Sequence, residues 1–173
     1  HSFPTRRSSD LPYLMGERTP HWDEKTRGGF VGLTLYHGKD HLFRAVYEGI
    51  AFALKNVLDV LEENGLRVEE LTLLGGGAKS RLWNEIMCNV YGRPVRVHSF
   101  PGEATSLGAA IAAGVGVGIF SSFEDAAKVI GYSRFYRPVP GDVQAYQSYY
   151  RIYNMMYGQL KPIYDEIARL VEG

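Results

Sequence analysis

The chain has 173 residues, 45% hydrophobic and 22% charged, enough for one domain with its own core or for part of a larger protein. Its basic and acidic residues number 19 each, giving a formal net charge of +0 with no block of like charge, so neither nucleic acid nor an anionic membrane surface is expected as a partner. One cysteine, Cys88, excludes an internal disulfide and fits a reducing, cytoplasmic compartment.

Residues 1–10 show no apolar periodicity and no signal-peptide core, and from Pro12 the text becomes patterned. Residues 11–27 read as irregular, with two prolines, Gly16 and clustered charge. Residues 28–36 are β-rich. Asp40 sits where a helix N-cap belongs, and Leu42, Val46, Ile50, Ala53, Leu54, Val57 and Leu61 then recur at helical spacing until Gly65. A strand is expected over 71–74, running into Gly75-Gly76-Gly77. A helix follows from Ser80 to Val90, broken by Gly92 and Pro94, and Cys88 on it reads as a buried structural thiol.

A second strand is expected over 95–100, then a helix of small residues from Glu103 and a short helix capped near Ser122. The run from Leu107 to Phe120 is too short to span a bilayer. Pro138–Gly141 is the linker-like stretch. The tail, about Val143 to Val171, reads as a long helix interrupted near Gly158 and Pro162. Its tyrosines, from Tyr146 to Tyr164, fall at helical spacing and form a packing stripe. Strand and helix alternate, so the fold class is α/β in layers.

The stretch with chemistry is "LTLLGGGAKSRLWNEI". A strand delivers the chain to a turn without Cβ atoms, and a helix opens at once. Backbone can approach a ligand closely there, beside the positive end of the helix. That outlines a nucleotide or phosphate site. The Lys-Ser/Thr ending of a Walker loop is missing, and a dinucleotide fingerprint would want glycine or alanine where Ser80 stands. A ligand-free βα turn is the plain alternative. His37 and His41, four apart, lack the glutamate of a zinc-protease pattern, so no metal site is expected.

Several stretches together resemble the C-terminal domain of the FGGY carbohydrate kinases. Gly28, Phe30, Gly32 and Leu33 supply the first half of that family's second signature, and His41, Leu42, Ala45, Val46, Tyr47 and Glu48 the second. "GGGAKSRLWNEI" resembles its adenosine motif, "GEATSLGAAIAAG" the helix after it, and "PYLMGERTPHWDEKTRG" is most similar to the xylulokinase-like branch.

The resemblance implies an actin-like ATPase (ribonuclease H-like) domain over residues 11–136, the C-terminal half of a two-domain sugar kinase, with a helical extension over 137–173. It implies ATP and Mg²⁺ as cofactors and a ketopentose, D-xylulose, as acceptor. Ribulose, fuculose, gluconate or glycerol is the alternative, and a non-catalytic actin-like nucleotide-binding module the second. Gly75, Gly76, Gly77, Ala78 and Ser80 would line the adenosine side. Glu17, Arg18 and Trp22 resemble the loop running toward the cleft; a salt-bridged loop anchored by a buried Trp22 is expected ahead of direct ligand contact, which is the alternative. No catalytic residue is assigned, because the family's base is an aspartate expected upstream of Pro12. A homodimeric parent is compatible with the resemblance. "HSFPTRRSSDL" back-translates into a sequence resembling a common sequencing-library adapter, so residues 1–10 are expected to be a non-native head packing on nothing.

Overall fold

The computed structural model describes residues 9–172. Residues 1–8 of the expected head lie outside that range. Ser9 and Asp10 do not behave as a loose head: Ser9–Leu11 is strand β1, antiparallel to β2 (Gly29–Val31), with Leu11 opposite Gly29. Leu11 is fully buried and Asp10 nearly so. Packing begins before the sequence pattern does.

β2 is shorter than the β-rich run. Gly32 turns the chain at φ +84°, and the Nδ1 of His37 accepts from the Thr34 N–H at 2.9 Å, closing a turn where strand was expected. Helix α1 (Lys39–Glu63) starts one turn before its apolar spacing, capped at Gly38 rather than Asp40, which lies in the first turn. Beyond it Gly65 takes φ +90°, as a helix terminator does.

The described residues divide into two compact units. One takes those up to Arg67 together with those from Val139 onward; the other is Val68–Pro138. In the first, helix α5 (Pro140–Glu172) lies against β1 and α1. The tail expected as an extension therefore completes a core. Tyr146, Tyr153, Met156, Tyr164 and Ala168 form its buried stripe. The rings of Tyr146, Tyr150 and Tyr153 gather around Phe52 of α1 at 5.5–6.1 Å.

Hydroxyls in that core find partners, as buried polar groups must. Tyr153 donates to Tyr13 at 2.5 Å and Tyr146 to Glu48 at 2.9 Å, and Glu48 also accepts from Arg44 at 2.8 Å. α5 is continuous through Pro162, contrary to the expected interruption. Pro162 and Gly158 both face outward, so the carbonyl that Pro162 leaves without a donor meets water while the buried stripe carries the helix through.

The second unit is built on a three-stranded sheet in the order β3 (Leu71–Leu73), β4 (Val95–His98), β5 (Tyr132–Tyr136). β3 and β4 run parallel, joined by helix α2 (Arg81–Tyr91), and β5 is antiparallel to β4 with an irregularity at Val97/His98. Helix α3 (Ala104–Gly116) and the short α4 (Phe123–Ala126) follow β4. Ile86, Met87, Cys88 and Val90 of α2 and Val95 and Val97 of β4 are buried where α2 packs on β4. Burial pushes the Cys88 thiol up to about 11, and its Sγ donates to the Arg93 carbonyl at 3.3 Å: an inert core thiol, as expected. Among the described residues, no helix is long and apolar enough to cross a membrane.

Candidate functional site

The glycine turn opens at the carboxyl end of β3. Gly75 takes φ +79°, ψ −174°, a conformation an L side chain rarely adopts, and its N–H donates to the Pro101 carbonyl at 2.6 Å. That bond ties the loop after β3 to the loop after β4. Both lie outside the carboxyl ends of parallel strands, where α/β sheets place ligands. Gly76–Lys79 then form one tight turn, closed by Ala78 N–H on the Gly75 carbonyl (3.2 Å) and Ser80 N–H on the Gly77 carbonyl (3.0 Å).

A Cβ added to Gly75 or Gly76 would meet nothing within 4 Å, so this face of the turn is open backbone. At Gly77 a Cβ would meet the Trp83 indole, 3.2 Å from Nε1. Trp83 walls one side of the turn. Lys79 reaches back over the second loop, with its Nζ 3.4 Å from where a Cβ of Gly102 would lie.

The five expected residues thus fall in one turn and the helix cap that follows it, but they split in role. Gly75 and Gly76 bound open space and Gly77 lies under Trp83. Ala78 is 1% exposed and faces the core. Ser80 caps α2, its Oγ accepting from the Trp83 N–H at 3.3 Å. In this turn Ala78 and Ser80 hold the backbone, while Gly75 and Gly76 bound the open space. Asn84, which the sequence pattern does not single out, is fully buried beneath the turn and donates through Nδ2 to the Ala78 carbonyl at 2.9 Å.

The loop of Glu17, Arg18 and Trp22 is held differently from expectation. Trp22 is 81% exposed at φ 50°, so it anchors nothing. The anchor is Glu17, 6% exposed, whose carboxylate accepts from the N–H groups of Thr19 (2.6 Å), His21 (2.7 Å) and Trp22 (3.1 Å). Backbone bonds of 2.7 Å in both directions join Glu17 to Asp23. Asp23 accepts from Lys161 (2.9 Å) and Tyr157 (3.0 Å) of α5. Burial works to raise its pKa, but these donors and the Lys25 N–H prevail and hold it at about 2. His21 stacks on Tyr157 with centroids 3.8 Å apart.

His37 and His41 serve turns, each Nδ1 accepting a backbone N–H (Thr34 at 2.9 Å, Gly38 at 3.2 Å). Among the described residues, no group of three or more His, Cys, Asp or Glu is placed to hold a metal ion.

Residues 2–117 match the model of the FGGY family of carbohydrate kinases, C-terminal domain. Xylulose kinase of Staphylococcus epidermidis is 35% identical over 160 residues, covering 92% of this chain and 32% of that protein. Gluconokinase of Bacillus subtilis is 33% identical over 165 residues, covering 94% and 29%. The crystal structure of ligand-bound xylulose kinase from Lactobacillus acidophilus superposes with a TM-score of 0.84 at 29% identity, covering 92% of this chain and 32% of that one. The chain spans about a third of the length of these relatives. Matched by the family model over most of its length, with the actin-like fold of its structural neighbours, the chain belongs to the FGGY family of carbohydrate kinases.

Proposed function

We propose that this chain supplies the nucleotide-binding wall of an ATP-dependent carbohydrate kinase that moves the γ-phosphoryl group of ATP to a sugar hydroxyl. The observation that carries the reading is the open backbone face of Gly75 and Gly76 at the carboxyl ends of two parallel strands. It fits a nucleotide on physical grounds: a flat adenosine needs close approach to backbone, and any Cβ at these two positions would stand in that space.

Phosphoryl transfer rests on positioning and on electrostatic support for spreading charge. This chain's residues serve the first need, with Gly75 and Gly76 as the floor and Trp83 as a side wall. Mg²⁺, when bound, would neutralise charge on the phosphates of ATP. The aspartate base is proposed to stand outside the described residues, and the intact enzyme to work in the cytoplasm.

For the acceptor we propose a ketopentose, D-xylulose, supported by the xylulose kinases among the relatives. The similar gluconokinase favours gluconate as the second reading. The test is an acceptor panel with the intact enzyme that carries this chain: kcat/KM for D-xylulose should exceed those for gluconate, ribulose and glycerol. A panel led by gluconate or glycerol overturns the acceptor. Absence of ATP-dependent transfer to any acceptor overturns the kinase reading itself.

A further inference from the structure

Beneath the glycine turn, Asn84 holds a position that packing alone does not explain. It lies in the first turn of α2, fully buried, where asparagine is a poor helix former and an aliphatic residue of similar size would fill the core. Two bonds run from it into the turn. Its backbone N–H donates to the Ser80 carbonyl at 3.1 Å, as any helical residue's would. Its side-chain Nδ2 donates to the Ala78 carbonyl at 2.9 Å, six residues back, which no helical bond would do. The same Nδ2 lies 3.5 Å from the Tyr136 hydroxyl at the end of β5. Its Oδ1 is buried without a partner. A side chain kept for packing gains nothing from an orphaned oxygen; the donating half of the amide is the half with a task.

That task is set by the turn. Gly75–Lys79 is one short turn whose glycines are free to adopt other conformations, and Ala78 is the residue where it meets the core. Fixing the Ala78 carbonyl fixes the direction in which the peptides of Gly76 and Gly77 face.

We propose that Asn84 is a positioning residue of the nucleotide loop, its Nδ2–H···O bond to Ala78 setting the turn that presents Gly75 and Gly76 to the nucleotide. The inference rests on reading the glycine turn as the nucleotide site. The intact enzyme that carries this chain is titrated with ATP and followed by NMR, unmodified and as Asn84→Leu, Tyr136→Phe and Gly76→Val, with far-UV circular dichroism confirming each fold. Asn84→Leu should weaken ATP binding on the order of tenfold or more, since small misplacements in a positioning shell cost factors of that size. Tyr136→Phe, which keeps the Ala78 bond, should stay within about twofold of the unmodified enzyme.

A role confined to packing would lower the unfolding temperature of Asn84→Leu and leave the ATP affinity of the folded molecules unchanged; that result overturns the inference. Should Asn84→Leu not fold, the unmodified enzyme decides. The Asn84 side-chain amide resonances must shift as ATP saturates, and their failure to move overturns the inference as well. If the unmodified enzyme does not bind ATP, or Gly76→Val binds it equally well, the nucleotide reading falls and this inference with it. If Gly76→Val alone loses binding, the nucleotide reading stands and the role of Asn84 is refuted.

Discussion

The backbone carbonyl of Asp10 lies directly over Gly49: a Cβ built on Gly49 would sit 2.5 Å from that oxygen and 3.2 Å from Asp10 Oδ2. β1 can therefore touch α1 only because residue 49 has no side chain. Gly49→Ala tests this. An alanine in mid-helix should gain about 1 kcal/mol from propensity. An overlap with backbone that cannot swing aside should cost about 1–3 kcal/mol, and at 2.5 Å the upper end applies. The net expectation is a lower thermal unfolding midpoint; a variant as stable as the unmodified chain would mean that β1 does not press on the helix.

The same contact buries the Asp10 carboxyl, and burial raises its pKa from 3.8 to about 6. A raised carboxylate pKa means that the folded state holds its proton longer than the unfolded one. Stability from this group is therefore greatest below 3.8 and falls as pH rises toward 6. Asp10→Asn removes the charge and keeps the shape. It should stabilise by about 1–3 kcal/mol above about pH 6.5 and change little near about pH 4. Urea unfolding at the two pH values measures the difference, and an equal effect at both would rule out the buried charge as its source.

Asp23 shows the opposite sign. Its pKa, lowered from 3.8 to about 2, contributes stability that is fully present above 3.8 and is lost as pH falls through about 2. Lys161 is 44% exposed, so solvent screens much of the pairing, and Asp23→Asn should cost only about 1 kcal/mol near neutrality. The cost should vanish in strong acid. A penalty that persists there would assign it to packing of the Glu17–Asp23 loop instead.

Much of this fold is legible in local pattern. The helix opening near Ser80, its stop at Gly92 and the tyrosine stripe of α5 all follow from short-range spacing that the structure keeps. What the pattern hides depends on partners distant in sequence. β5 is a strand because β4 offers it an edge; Tyr132, Phe135 and Tyr136 favour a strand, but they do not alternate cleanly with polar residues. Ser9 and Asp10 pair because β2 lies opposite, whatever their side chains. Trp22 looks like an anchor by residue type, yet the carboxylate of Glu17 satisfies the loop's N–H groups and leaves the indole outside. At the glycine turn the motif marks the place but not the division of labour, which depends on Trp83, Asn84 and Pro101 closing around it.

That division separates three substitutions which the motif alone treats as equivalent. Gly75→Ala forces an L residue to φ +79° and should cost about 1–2 kcal/mol of stability whatever the ligand. Gly77→Val drives a side chain against the Trp83 indole from 3.2 Å. The ring can give way only partly, so stability should again fall by about 1–2 kcal/mol. Loss of binding in either variant would be ambiguous, since the turn itself is disturbed. Gly76→Val is the decisive one. Its φ is not in the left-handed region and nothing lies within 4 Å of the added Cβ, so the unfolding midpoint should hold. The isopropyl group would then occupy only the open face, where the nucleotide is proposed to lie, and ATP binding should drop on the order of a hundredfold if that face is the contact. Calorimetric titration of folded Gly76→Val with ATP is the measurement. An affinity equal to that of the unmodified chain would move the nucleotide to another part of the molecule.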